Sequence, residues 1–68
     1  MKIFAERLKM LRTEKGLNRE TLAKEIGVSP SIIRYWEDST KIPKADAVIS
    51  IAKFFNVKSD YLLGLSDY

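Results

Sequence analysis

Residues 27–38 read GVSPSIIRYWED, and the reading of this stretch decides the fold. Ser29 is a residue type that caps helices, and Pro30 suits the first helical position, where a backbone N–H has no intrahelical partner to lose. Ile33 and Trp36 recur three residues apart, the spacing of one helical face. A helix over about residues 30–38 therefore turns Ile33 and Trp36 inward. Pro30, Ser31, Arg34 and Tyr35 then lie on the opposite face, with nothing apolar to bury them.

Working outward, Asn18 is a good cap for a preceding helix over about residues 19–26, with Leu22, Ala23 and Ile26 as its inner stripe and Gly27 as its stop. The two helices are joined by Gly27-Val28-Ser29 alone, and small Ala23 lets them cross closely. This is the pattern of a helix-turn-helix. In that motif the second helix enters the major groove of duplex DNA, a channel about 12 Å wide that admits one α-helix. The exposed face then has a use. Arg34 is expected to donate to a guanine, while Ser31 and Tyr35 hydrogen-bond or pack on a thymine methyl, each contact discriminating by about 1–3 kcal/mol.

Three more helical patterns complete an all-α reading. The first spans about residues 3–15, with Phe4, Leu8 and Leu11 on one side and Gly16 as its stop. Another spans 45–55, with Val48, Ile51, Ala52 and Phe55 inward. A short last one, capped by Ser59, spans 59–64 and ends at Gly64. No stretch alternates as a half-buried strand does, so the expected architecture is a single domain of five short helices over residues 1–68.

Composition sets the limits. A chain of 68 residues draws only about 3–5 kcal/mol of net stability from its core, and with no Cys and no His it has neither a disulfide nor zinc to help. Twelve Lys and Arg against nine Asp and Glu give a net charge of +3. The excess is local: residues 1–44 hold ten of the basic and six of the acidic residues, and residues 45–68 hold two and three. The first residues, MKIFAERLKM, carry charge where a signal peptide needs an apolar core, and no run reaches the ~18 apolar residues of a membrane helix. A cytoplasmic protein is expected, with no membrane partner. Without His, Cys or a phosphate-cradling Gly-rich loop, no catalysis, cofactor, metal or small-molecule substrate is expected.

The stretch LRTEKGLNRETLAKEIGVSPSIIRYWEDSTKIPKADAVISIAKFFNVKSDYLLG (residues 11–64) resembles the lambda-repressor-like, or XRE/Cro, family of DNA-binding domains. The likeness covers about residues 3–64. Its anchors are Leu11-Arg12, Gly16-Leu17, Leu22-Ala23, Gly27-Val28-Ser29, Trp36-Glu37, Pro43, Ile51-Ala52 and Asp60-Tyr61-Leu62-Leu63-Gly64. The resemblance implies a compact five-helix, lambda-repressor-like bundle and an ion pair between Arg12 and Glu37. It also implies phosphate contacts at the start of the second helix, from Asn18 and Arg19, with a second clamp at Lys41 and Lys44 after the recognition helix. Ser29 is expected at a phosphate as well. Three positions depart from the family pattern: Arg19 where Gln is usual, Ser39 where Gly is frequent, and Pro30 where a polar or basic reader often stands. The last bears on the operator sequence.

One short recognition helix reads few base pairs, and the C-terminal third is rich in apolar groups. A homodimer through Tyr61, Leu62, Leu65 and Tyr68 on a palindromic operator is therefore expected, with the two reading helices about 34 Å apart. The function expected is a sequence-specific transcriptional regulator, a repressor of phage or prophage type. The competing reading is an antitoxin or other regulator that uses these helices to bind a protein. Whether the chain is complete or the N-terminal piece of a longer repressor is open. Replacing Arg34 or Tyr35 by Ala should change the preferred sequence, and Lys41→Ala should weaken all sequences alike.

Overall fold

The computed structural model describes residues 1–68 as five α-helices with no strand: α1 Lys2–Glu14, α2 Arg19–Ile26, α3 Pro30–Glu37, α4 Ala45–Phe55 and α5 Ser59–Leu63. Their ends are set by local chemistry. Asn18 Oδ1 accepts from Thr21 N at 2.7 Å to cap α2, and Ser29 Oγ accepts from Ile32 N at 3.3 Å to cap α3. Gly27 ends α2 with φ 75°, a left-handed conformation that costs a residue bearing a Cβ about 1–2 kcal/mol. Space is not the constraint there, because an added Cβ would meet nothing within 4 Å. Asn56, the non-glycine type best suited to the left-handed region, ends α4 with φ 55°.

The helix ends of α1, α3 and α5 each shift by one residue from the sequence reading, and two of the differences concern caps. Ser59 is the first residue of α5 and not its cap: Lys58 holds the cap position without a side-chain hydrogen bond. The third helix stops at Glu37, and Asp38 is its C-cap. From there the chain passes through Ser39 at φ 63°. The position at which the family frequently has Gly thus takes the conformation that Gly favours, and here a serine bears the strain.

All five helices supply the core. Phe4 and Leu8 from α1, Leu22 from α2, Ile33 from α3, Ile51 from α4 and Leu62 from α5 are its largest fully buried side chains. Each such burial is worth about 1.5–3 kcal/mol relative to exposure. Since every helix contributes, none can be removed without opening the centre. Phe4 also meets Trp36 edge to face at 6.3 Å between centroids, which ties α1 to α3. Ala23 is buried as well, where α2 and α3 lie against each other.

Leu62 requires a correction. The expectation that it serves a dimer interface fails, because its exposure is 0 % and its side chain is spent inside the monomer. The cause is helical phase. In a five-residue helix, Leu62 faces α1 and α4 while neighbouring Leu63 points outward, 39 % exposed.

Candidate nucleic-acid interface

The placement of α3 sets the site. Ile33 is 0 % and Trp36 5 % exposed, so both anchors are in the core, while Pro30, Ser31, Arg34 and Tyr35 are all exposed. A ridge of polar and aromatic side chains therefore stands out from a rigid floor. Arg34 Nε lies 3.8 Å from Asp38 Oδ2, one turn further along α3, and both side chains are largely in solvent. A pair so exposed adds little stability, but it leans the guanidinium along the helix.

The C-terminal end of α3 is locked by charge. Arg12 on α1 meets the Glu37 carboxylate through two nitrogens, Nε donating to Oε2 at 2.7 Å and Nη2 to Oε1 at 3.1 Å, and its Nη1 donates to Leu17 O at 2.8 Å. The expected ion pair is present, and it has a third member. Arg19 Nε also donates to Glu37 Oε1, at 3.1 Å. One carboxylate, 1 % exposed, thus serves two guanidiniums, and the trio keeps an excess positive charge beside the start of α2. Arg19 is in this way only partly free for phosphate: its Nε is engaged, and its terminal nitrogens are not.

The other expected phosphate contacts divide similarly. The Asn18 and Ser29 oxygens are occupied as caps, which leaves the Asn18 amide N–H groups and the Ser29 hydroxyl proton as donors. Lys44 is exposed at the start of α4. Lys41 is exposed but not solitary: its Nζ sits 4.9 Å from the centre of the Tyr35 ring. With Lys44 it borders a shallow cleft of about 420 Å³ whose other walls include Val28, Ile32, Trp36 and Ile42. The loop that carries Lys41 folds back on α3. Tyr35 O accepts from Thr40 N at 3.0 Å, from Lys41 N at 3.3 Å and from Thr40 Oγ1 at 3.1 Å.

Sequence reasoning missed three arrangements. No periodicity links Tyr35 to Lys41, because the chain between them leaves the helix through a left-handed residue. The engagement of Arg19 had one signal, namely a guanidinium at a position where the family usually has Gln. The third is at the far side of the molecule. Arg7 donates through Nη1 to Tyr61 O and, at 2.7 Å, to Ser66 O, and its guanidinium stacks 4.2 Å over the Tyr61 ring. It fastens the C-terminal tail to α1. Within the clamped segment Leu65 is 75 % exposed, and beyond it Tyr68 is 79 % exposed.

A family model described as helix-turn-helix matches residues 8–62, from the middle of α1 through the core residue of α5. The chain belongs to the lambda-repressor-like helix-turn-helix family. Among its relatives, the transcriptional activator BcrR of Enterococcus faecalis is 42% identical over 60 residues, covering 88% of this chain and 29% of that one. The cryptic phage CTXphi transcriptional repressor RstR of Vibrio cholerae is 36% identical over 55 residues, 81% of this chain and 50% of the relative. The chain thus spans half or less of the length of these two relatives. In three dimensions it is similar to the P22 c2 repressor, solved in complex with a synthetic operator, with a TM-score of 0.88 and 27% identity over 97% of this chain and 100% of that one. Membership assigns the protein to a family of regulators and not of enzymes. No helix in it is long and apolar enough to cross a membrane.

Proposed function

We propose that the protein is a transcriptional regulator that binds duplex DNA in a sequence-specific way, with α3 in the major groove. One observation carries this reading: Ile33 and Trp36 are buried, so that the opposite, polar face of α3 with Ser31, Arg34 and Tyr35 is presented outward. Ser31, Arg34 and Tyr35 read base edges, and Pro30, which has no donor, contributes packing alone. The free donors of Asn18, Arg19 and Ser29 meet phosphates on one side of the groove, and Lys41 and Lys44 meet them on the other. Such contacts hold the helix in register and carry no sequence information directly.

The active form proposed is a homodimer on a palindromic operator. The molecule measures 28 × 23 × 20 Å, so two copies in contact suit a spacing of about 34 Å between reading helices. Tyr61, Leu65 and Tyr68, with Leu63 in place of Leu62, form the contact in this reading, and Arg7 holds the tail ready for it. A repressor of phage or prophage type fits the similarity to RstR and the c2 repressor, although the direction of regulation depends on operator position and the activator BcrR shares the same domain type.

The test is titration with a duplex selected from a random pool, at several salt concentrations. Arg19, Lys41 and Lys44 in each of two copies release about six counterions, so the slope of log K against log salt should be about −5. An antitoxin-like interaction module would show weak DNA affinity without such a slope, and that result would remove the reading.

A further inference from the structure

We propose that Lys41 positions Tyr35 and thereby helps set sequence preference, beyond any contact of its own with phosphate. The inference rests on the DNA-binding reading and sharpens it.

Two independent features join the residues. The Lys41 ammonium lies over the Tyr35 ring at 4.9 Å, within the ~6 Å reach of a cation–π attraction. The backbone enforces the approach, since Thr40 and Lys41 both donate to the Tyr35 carbonyl. The loop is therefore anchored on the residue whose ring it covers. Tyr35 is 40 % exposed, so part of its ring is open to solvent, and the Lys41 ammonium restricts how that ring sits. With one face taken by the ammonium, the ring offers DNA its other face and its hydroxyl edge. An ammonium that holds a phosphate in the same place then sits between backbone and base reader, so the register set by one is passed to the other. Nothing comparable holds at Lys44, which stands over no ring, or at Arg34, whose charged neighbour is Asp38. Of the proposed phosphate contacts, Lys41 alone is mechanically tied to a reader.

The experiment compares the unaltered protein with Tyr35→Ala, Lys41→Ala, Lys41→Arg, Lys44→Ala and the Tyr35→Ala/Lys41→Ala double variant, each checked for helix content. Kd is measured for the duplex selected by the unaltered protein and for duplexes changed one base pair at a time across the half-site. Lys41→Ala, for which the sequence alone predicts an equal weakening of all duplexes, should instead flatten the preference at the same base pairs as Tyr35→Ala, by about two- to fivefold. The double variant should be no flatter there than Tyr35→Ala alone. Lys41→Arg, which also stacks on aromatic faces, should retain the preference, and Lys44→Ala should lower all affinities by one factor. If Lys41→Ala also lowers them by one factor, or Lys41→Arg behaves like Lys41→Ala, the inference is overturned and the DNA-binding reading survives. If the unaltered protein prefers no duplex, both are overturned.

Discussion

Glu37→Gln is the sharpest test of how α3 is held. The change keeps the shape of the side chain, removes its charge, and replaces one acceptor oxygen by an NH2 group facing a guanidinium. Three charge-assisted hydrogen bonds converge on this carboxylate, at 2.7, 3.1 and 3.1 Å. Each is worth about 1.5–3 kcal/mol in isolation, but they share one site and do not add. The relevant magnitude is that of breaking a buried ion pair by removing one partner, about 3–5 kcal/mol. A chain of this length has about 3–10 kcal/mol in all. Glu37→Gln should therefore take a large part of it, lowering Tm by at least about 12 °C at the 4–8 °C per kcal/mol typical of domains this size. Thermal and urea melts followed by circular dichroism measure this, and an unchanged m-value would show that the folded and unfolded states are otherwise the same. Arg19→Gln serves as the contrast: with its side chain 39 % exposed, its share is screened and should be at most about 1 kcal/mol. A loss below about 1 kcal/mol for Glu37→Gln, or equal losses for the two variants, would refute the claim that the buried carboxylate is the centre of the lock.

Ser39→Gly should stabilise the protein, since it relieves a left-handed residue worth about 1–2 kcal/mol and gives back part of that as unfolded-chain entropy, for a net rise in Tm of about 2–6 °C. Arg7→Ala should cost about 1–2 kcal/mol in a urea melt, and hydrogen exchange at Leu65 N, which donates to Asp60 O at 2.8 Å, should speed up markedly. Arg34→Ala should weaken binding to the selected duplex by about 1–3 kcal/mol and relax preference at one position, while Lys44→Ala should make the salt slope shallower by about 1 per copy, both read from titrations at several salt concentrations.

The helices and their order are legible in the sequence because each rests on interactions a few residues apart. Asn18 and Ser29 each cap the helix on their C-terminal side, Gly16, Gly27 and Gly64 each stop the helix on their N-terminal side, and Ile33 and Trp36 set the phase of α3. The Arg12–Glu37 pair is visible through the family resemblance and not through spacing, since 25 residues separate its members. Leu62 is misread for a related reason. A helix of five residues has barely more than one turn, so its inner face depends on how the α4–α5 link aims it, and periodicity has too few residues to report that. Arg7 and Lys41 escape a reading by periodicity because each acts across a non-helical segment, the tail in one case and the 38–41 loop in the other.

These long-range contacts share a design that bears on function. α3 is gripped at its end by a carboxylate pointing inward, at Glu37, and along its buried side by Ile33 and Trp36. Its outward residues have only weak, exposed partners: Asp38 for Arg34 and Lys41 for Tyr35. Under the proposed function, the contrast matches the task of each group. A scaffold side chain gains from a deep, dehydrated partner, since breaking that contact is costly. Arg34, whose donors Asp38 engages, must give up that partner when a base edge arrives, whereas Tyr35 can keep Lys41 on one ring face. A contact worth at most about 1 kcal/mol in solvent allows the first while still limiting the rotamers to be lost on binding. Strengthening the contact that occupies the Arg34 donors should then oppose recognition. Replacing Asp38 by Glu, which reaches further toward Arg34, would hold the guanidinium on the helix and weaken binding, whereas strengthening the inner contacts would leave preference unchanged.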